Sequence, residues 1–177
     1  MKVFLFVIGS IFFLASCGDK KIALLNEIKD AENILFEQSQ QLKPDETISL
    51  ELDQALVKAL SDFYIQFPKD THAPECLDKL HMKYSGSGDF KKAAMYGDTL
   101  LLKYEYYVNR AMILESLANI HDMNLSPRDT SKVRFYSEML LKENPDLPLE
   151  KVEDINYRLD NINLTIRELI QKRISEE

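Results

Sequence analysis

The strongest indication of how this chain folds is the segment LDKLHMKYSGSGDFKKAA, residues 77–94. Its apolar side chains at Leu77, Leu80 and Tyr84 recur at spacings of three and four residues, the period of one face of an α-helix. A Ser-Gly-Ser-Gly run then interrupts that period with turn-forming residues, and Asp89 is suited to cap the N-terminus of a following helix. The segment therefore predicts two helices joined by a short turn.

The sequence before this segment has the same helical period. It predicts a first helix over 22–42, a second over 48–67 and a third that starts within 71–74. Proline at position 44 ends the first helix, because proline disfavours helical geometry in the residue before it, and Pro68 ends the second. Glycine is scarce, with five in 177 residues, and strand-like alternation is nearly absent. We therefore predict an all-α protein.

Similar segments recur along the chain. Superimposing Phe67-Pro68 on Tyr104-Glu105, and then on Asn144-Pro145, gives internal periods of 37 and 40 residues. Repeats of this length are typical of stacked helical hairpins, in which each hairpin buries its apolar face against the next. The sequence therefore predicts about three antiparallel hairpins stacked on one another, with a plain helical bundle as the alternative.

The middle unit resembles a tetratricopeptide repeat (TPR). The family's large, leucine, tyrosine and alanine positions are here Leu77, Leu80, Tyr84 and Ala93. His81 departs from the family pattern, which has a small residue at that position. The resemblance covers roughly residues 50–148 and implies a TPR-like solenoid.

The next unit fits this pattern with one disturbance. Leu114, Leu117 and His121 continue the packed stripe, with Ala118 at the family's small-residue site, but three extra residues precede Val133. The sequence Ser-Pro-Arg-Asp at 126–129 offers a serine cap followed by proline at a first helical position. We therefore expect the second helix of this unit to be about one turn longer.

The last helix is predicted over 148–173. Its apolar residues Val152, Ile155, Leu159, Ile162, Ile166 and Leu169 follow spacings of 3, 4, 3, 4 and 3, a heptad seam. One interpretation is a long capping helix that covers the open apolar face of the last hairpin. The other is self-association through a coiled coil. We favour the cap, because about three heptads with Asn156 and Asn163 beside the seam are a weak dimer signal.

The N-terminal segment reads as an export signal. Lys2 precedes an apolar run from Val3 to Leu14, which as a helix would reach roughly 18 Å and fall short of the about 30 Å hydrocarbon core. Ala15 and Ser16 are the small residues that a cleavage site needs. A plain secretory signal would have the same features and would not require the cysteine that follows, so it is the alternative to the lipoprotein signal described next.

The segment Leu-Ala-Ser-Cys, ending at Cys17, resembles the lipobox of bacterial lipoproteins. The resemblance implies that residues 1–16 are a cleaved signal peptide, that the Cys17 sulfur carries a diacylglycerol, and that its amine carries a fatty acid such as palmitate. Residues 17–21 would then be a short lipidated tether and residues 22–177 the TPR-like domain. Gly18 stands where enterobacterial lipoproteins retained at the inner membrane have aspartate, so we expect an outer-membrane location. Whether the domain faces the periplasm or the cell exterior stays open.

Charge and cysteine content narrow the possible partners. The leader holds one charge, Lys2, so the 161 residues after it carry 21 basic and 29 acidic side chains, a formal charge of −8. This balance predicts no nucleic-acid binding and no polybasic membrane contact, which leaves the lipid as the anchor. With Cys17 lipidated, Cys76 has no partner for an intramolecular disulfide, and its position beside Leu77 indicates a small buried side chain.

No catalytic or metal-binding motif is recognisable. The three histidines, His72, His81 and His121, lie far apart, and no pair has the spacing of a helical metal site. Gly86-Ser87-Gly88 lacks the lysine of a phosphate-binding loop. We therefore predict a protein that is not an enzyme and has no cofactor besides its lipid, with an unfamiliar catalytic site as a distant alternative.

The TPR resemblance implies a groove that binds a partner segment. The first-helix positions that line it would be Glu75, Asp78, Met82, Met112, Glu115, Asn119, Asp122 and Met123. Acids alternating with adaptable methionines could accept a basic, partly apolar peptide, although acids on a helix surface are also ordinary solvated residues. The predicted function is a scaffold or adaptor for other envelope proteins, and the alternative is a structural lipoprotein that self-associates through its last helix.

The nearest familiar type is the TPR lipoprotein of the outer-membrane β-barrel assembly machinery. Tyr64-Ile65-Gln66-Phe67-Pro68 is similar to the sequence that closes helices in that family. Those proteins have about five repeats, whereas this chain has room for about three hairpins. The resemblance therefore implies an architecture without implying the same activity.

Overall fold

The protein is helical wherever its structure is described. The computed structural model describes the backbone of residues 4–43 and 49–176, and the side chains of residues 18–43 and 49–176. Within these ranges there are eight α-helices, one π-helical turn at Ile120–Asn124, and no strand. The prediction of an all-α fold is confirmed. The helices are α1 (Phe4–Gln41), α2 (Leu50–Gln66), α3 (Ala73–Gly86), α4 (Phe90–Lys103), α5 (Arg110–Asn119), α6 (Thr130–Glu143), α7 (Leu149–Asp160) and α8 (Ile166–Glu176).

The chain divides into two compact units, of which the first ends at Leu80. In the first unit α1 packs along α2. Apolar residues of both helices are buried, and they include Leu24, Ile28, Leu35, Leu56, Leu60 and Phe63. Ion pairs add to the packing, since Lys79 Nζ on α3 lies 2.6 Å from Glu32 Oε1 on α1.

The first helix begins earlier than predicted. The backbone of α1 is helical from Phe4, so the helix already includes residues 17–21, before the start predicted at residue 22. These five residues contain no proline, and Lys20 and Lys21 are good helix formers. The side chain of Cys17 lies outside the described residues. Within the described part of the chain, no helix is both long and apolar enough to cross a membrane.

The second unit begins at His81 and contains the predicted turn and helix cap. The end of α3 and the start of α4 fold back on each other, and the rings of Tyr84 and Tyr96 stack with centroids 5.5 Å apart. The turn uses the positive φ of 80° at Gly88, a conformation that glycine adopts readily. Asp89 caps α4 as predicted, because its Oδ1 accepts a hydrogen bond from Lys92 N at 3.2 Å.

His81, at the start of this unit, is almost fully buried. Its Nδ1 lies 2.8 Å from Ala93 O of α4, and its Nε2 lies 2.8 Å from Ser116 Oγ of α5. One ring therefore joins α3, α4 and α5. Gly97 of α4 makes room for it, because a Cβ atom at that position would lie 2.9 Å from His81 Nδ1.

Helices α4, α5 and α6 pack in sequence order. Arg110, at the start of α5, binds groups near the C-terminal ends of α4 and α6. Its Nε lies 2.6 Å from Glu143 Oε2 of α6, and its Nη1 donates to Leu101 O of α4 at 2.8 Å. The contact pairs one side chain with groups from both neighbouring helices.

The predicted lengthening of α6 is wrong. The helix begins at Thr130, and its N-cap is Asp129, whose Oδ1 accepts a hydrogen bond from Lys132 N at 3.1 Å. Ser126 and the proline after it therefore lie before the helix. The extra residues of this unit fall in the π-helical turn and in the segment 125–129 that follows it. That segment is held by its own contacts, including the hydrogen bond from Asp129 N to His121 O at 3.3 Å.

The prediction of one long C-terminal helix is also wrong. A turn over 161–165 separates α7 from α8 and interrupts the heptad seam. Only the first part of the seam is buried with α6, where Leu159 and Ile162 form a core cluster with Val133. The turn stops the helix because Asn161 and the arginines nearby bind backbone carbonyls, as described below.

Candidate functional site

A cleft with a volume of about 570 Å³ opens between α5, α6, α7 and α8. It is called the α5–α8 cleft below. Helices α5 to α8 all contribute apolar lining, which includes Ala118, Val133, Leu140, Ile155, Ile166 and Leu169. Four carboxylates and three cations also line it. An apolar interior with a few polar groups is typical of ligand and peptide sites.

Half of the predicted groove residues meet in this cleft. They are Glu115, Asn119, Asp122 and Met123, from α5 and the π-helical turn. Met123 exposes 55% of its surface, so an apolar and adaptable side chain is accessible in the cleft.

The other predicted groove residues do not line the α5–α8 cleft. Met82 and Met112 are exposed on the second unit. Glu75 and Asp78 belong to the first unit, where Glu75 pairs with Lys79 at 2.7 Å and Asp78 is buried with 7% exposure. The buried Asp78 carboxylate is therefore not a surface contact, contrary to the prediction.

Acids at the cleft are paired with cations of α7 and α8. Glu115 Oε2 lies 2.5 Å from Lys151 Nζ, and Asp154 Oδ1 lies 2.7 Å from Arg173 Nη2. All four side chains are at least one third exposed, so water weakens both attractions. The cleft therefore presents balanced charge and not the bare acidic surface that the sequence predicted.

Asp122 is held by two arginines. Its Oδ1 lies 2.5 Å from Arg128 Nε, and its Oδ2 lies 2.6 Å from Arg158 Nε. The same guanidinium groups donate to the backbone carbonyls of the turn between α7 and α8, at Asn161, Ile162 and Leu164. We call Asp122, Arg128 and Arg158 the carboxylate clamp. Burial opposes ionisation of Asp122, but hydrogen bonds and charge from Arg158 and then Arg128 outweigh it, so the pKa is lowered from 3.8.

No protein-family model, curated protein or solved structure matches the chain. The function must be inferred from the residues themselves.

The cations of the cleft were missed at the level of sequence. All three lie in the segment predicted as one helix, for which the sequence predicted only an apolar seam: Lys151, Arg158 and Arg173. Their partners are distant along the chain, 36 residues for Lys151 with Glu115 and 19 for Arg173 with Asp154. No local spacing rule could have paired them.

His121 is buried on the packed stripe, as predicted. Its ring stacks on Tyr136 with centroids 5.7 Å apart, and its Nε2 is a buried atom without a hydrogen-bond partner among the described residues. Tyr136 donates its hydroxyl hydrogen to Asp98, which also pairs with Lys132 at 3.2 Å. Burial lowers the pKa of His121 from its ordinary 6.5, so this histidine is neutral at physiological pH.

Cys76 is buried in the first unit, as predicted for a small apolar side chain. Burial raises the pKa of its thiol to about 12. The thiolate is the reactive form of cysteine, so Cys76 is unreactive at neutral pH. Among the described residues, no group of three or more histidine, cysteine, aspartate or glutamate side chains could hold a metal ion.

Proposed function

We propose that this chain is a lipid-anchored adaptor of the bacterial cell envelope that holds a segment of another protein in the α5–α8 cleft. The observation that carries this proposal is the meeting of Glu115, Asn119, Asp122 and Met123 in one cleft with an apolar interior. A role in binding is favoured over one in catalysis because the sequence contains no recognisable catalytic motif.

The membrane attachment is supported by the N-terminal sequence. Cys17 follows an apolar run and small residues in the order that lipoproteins use. The acidic chain offers no polybasic patch for an anionic bilayer, so a lipid on Cys17 would supply the anchor. Two or three acyl chains suffice for stable attachment, whereas one binds reversibly. We propose the outer membrane because Gly18, and not aspartate, follows the cysteine.

We further propose that the helices pair as TPR-like hairpins. The stacked Tyr84 and Tyr96 rings support a first pair, α3 with α4. The packing of α5 against α6 supports a second, and Leu159 of α7 against Val133 supports an end cap. In such an arrangement the open side of the last pair is a natural place for a partner segment.

The experiment that tests the adaptor uses two methionines of similar exposure. Met123 lines the cleft, whereas Met112 is exposed outside its lining. Met123→Lys places a charge where an apolar contact is needed, so we expect it to remove partners that crosslink to the native protein in intact membranes. Met112→Lys is the matched control, with the same change of charge, and should keep those partners.

Partner recovery is measured by affinity purification after crosslinking, followed by mass spectrometry. Circular dichroism of both variants checks that they remain folded. If Met123→Lys recovers the same partners in the same amounts as Met112→Lys, the cleft is not the binding site.

Self-association is the second candidate function, and one feature of α8 favours it. Ile170 and Ile174 are 54% and 69% exposed, an apolar pair one turn apart on the helix surface. Sedimentation over a range of concentrations would show a dimer that Ile174→Glu removes. Ile162, which belongs to the seam, is buried in the core and is unsuitable for this test.

A further inference from the structure

Helix α8 is held to its unit by weak contacts. None of its described residues is buried. Ile166 and Leu169 reach the α5–α8 cleft but remain partly exposed. The ion pair between Arg173 and Asp154 joins side chains that are 55% and 50% exposed. Exposed ion pairs contribute little, and elements with few buried contacts open at low cost.

The turn before α8 is held much more firmly. Ile162 is buried, and the carboxylate clamp binds the carbonyls of Ile162 and Leu164. The change from firm to weak attachment therefore falls at Thr165. A movement of α8 would use that residue as its pivot and leave the rest of the cleft in place.

Helix α8 carries its own N-terminal cap. Thr165 Oγ1 accepts a hydrogen bond from Glu168 N at 3.3 Å, and Glu168 Oε2 accepts one from Thr165 N at 2.7 Å. This reciprocal pair is a capping box, which stabilises a helix without help from other elements. The cap can therefore persist when α8 leaves the cleft.

The cleft would become acidic if α8 left it. Its lining contains four carboxylates, Glu115, Asp122, Glu150 and Asp154, against the three cations Lys151, Arg158 and Arg173. Arg128 also binds Asp122, so removing Arg173 leaves four carboxylates against three cations, with Asp154 no longer paired with Arg173, and exposes the apolar lining of α6 and α7. A replacement must then be apolar on one face and basic.

We propose that α8 is a displaceable wall and that the cleft accepts an amphipathic, basic helix of the partner protein in its place. The helix now seated there shows what fits: Ile166 and Leu169 face the cleft, and Arg173 follows four residues later to meet Asp154. The partner helix repeats that pattern, apolar at two positions three apart and basic four residues further on. This inference rests on the proposed function, because it assumes that the occupant is a protein segment.

The test uses the full chain and a fluorescent peptide with the sequence of residues 165–176. Arg173→Glu in the protein replaces the attraction to Asp154 by repulsion and should release α8. We expect this variant to bind the peptide at least tenfold more tightly than the native protein. Arg167→Glu is the control, since it makes the same charge change on α8 at a residue outside the cleft lining, and it should leave the affinity unchanged.

A charge exchange tests the contact itself. Asp154→Lys in the otherwise native protein also opposes like charges and should release α8. The native peptide should then fail to bind because its Arg173 is repelled, and a peptide that carries Arg173→Glu should restore binding. Equal affinity of the native and Arg173→Glu proteins, or no restoration by the exchanged peptide, would overturn the proposal.

Two further outcomes separate this inference from its alternatives. If Arg173→Glu protein sediments as a dimer at the assay concentration, a second copy supplies the helix and the proposal of a foreign partner helix is wrong. If the Met123→Lys protein loses its membrane partners but the Arg173→Glu protein does not bind the peptide, the adaptor function is supported and the displacement of α8 is wrong.

Discussion

His81 and Gly97 form a complementary pair of side-chain sizes. The proposed TPR resemblance predicts a small residue at position 81. Here the large imidazole occupies it, with hydrogen bonds at 2.8 Å from both ring nitrogens, and Gly97 on the facing helix leaves the space. The His81 ring of α3 therefore fills the space that the absent side chain of Gly97 leaves on α4.

This pairing predicts that Gly97→Ala destabilises the protein. The new Cβ would lie 2.9 Å from His81 Nδ1 and 3.1 Å from Leu117 Cδ2. The imidazole ring cannot easily shift, because both of its nitrogens are hydrogen-bonded. Overpacking costs about 1–3 kcal/mol, against a gain of about 1 kcal/mol from the better helix former. We expect chemical denaturation to show a net loss of about 1 kcal/mol.

Gly86→Ala is the control for this prediction. Gly86 also lies in a helix, and a Cβ there would meet no atom within 4 Å. This variant should be as stable as the native protein or slightly more so. Equal effects of the two substitutions would show that the packing around His81 is looser than the structure indicates.

His121 predicts a loss of stability in mild acid. Burial lowers its pKa below the ordinary 6.5, so the unfolded chain binds more protons than the folded one once the pH falls below that value. The free energy of unfolding therefore decreases as the pH drops from about 6.5 toward the lowered pKa. Denaturation curves at pH 7.5 and pH 5 measure this decrease.

His121→Phe supplies the comparison for this pH dependence. Phenylalanine keeps a ring to stack on Tyr136 and has no group to protonate. The decrease between pH 7.5 and pH 5 should be smaller in this variant, and an identical decrease would exclude His121 as its source. The measurement stays at pH 5 and above because carboxylates such as Asp70, whose pKa is lowered mainly by its hydrogen bond with Lys21, lose their contribution only in stronger acid.

At the scale of elements, the carboxylate clamp holds the turn between α7 and α8. Its members come from the π-helical turn, the segment before α6, and α7. Asp122→Ala would leave the two guanidinium groups without their shared carboxylate in a largely buried setting. We expect a loss of about 3 kcal/mol, measured by chemical denaturation.

An exposed ion pair on α6 is the reference for the loss of unfolding free energy expected at the clamp. Glu138 pairs with Arg134 across one turn of α6, and both side chains are about half exposed. Glu138→Ala should change the unfolding free energy by only about 0.5 kcal/mol. A similar small effect of Asp122→Ala would mean that the clamp does not hold the turn between α7 and α8.

Local capping rules predicted the start of α4 but not that of α6. The start of α4 follows from Asp89 and the glycine-rich turn, and the structure has the cap at that residue. The division between α7 and α8 could not be predicted in this way. Its apolar spacing is the same for a continuous helix, and the groups that hold the turn come from more than 30 residues earlier. Arg128 donates to Ile162 O, and Asp122 accepts from Arg158.

At the scale of the whole molecule, four of the eight residues predicted for the groove line the α5–α8 cleft. Glu115, Asn119, Asp122 and Met123 follow one another on α5 and the turn after it, so a helical repeat pattern places them together. The remaining half was assigned to a groove running across repeats. Burial of Asp78 depends on packing that a surface pattern does not encode.

The lipid anchor makes a prediction about the whole protein. Cys17→Ser removes the sulfur that would carry the diacylglycerol. We expect the variant to incorporate no labelled palmitate and to leave the membrane fraction, while the circular dichroism of its helices stays unchanged. Full partner recovery from a variant that no longer fractionates with membranes would contradict an anchoring role.

The position of α8 could be followed by fluorescence at residue 157, because the ring of Tyr157 contacts that helix. It lies 5.9 Å from Lys172 Nζ and 5.2 Å from the guanidinium carbon of Arg173, both on α8. The chain contains no tryptophan, so Tyr157→Trp would give it a single indole fluorophore. Its emission would change when the two cations move away, and the position of α8 could be followed in real time without a chemical dye.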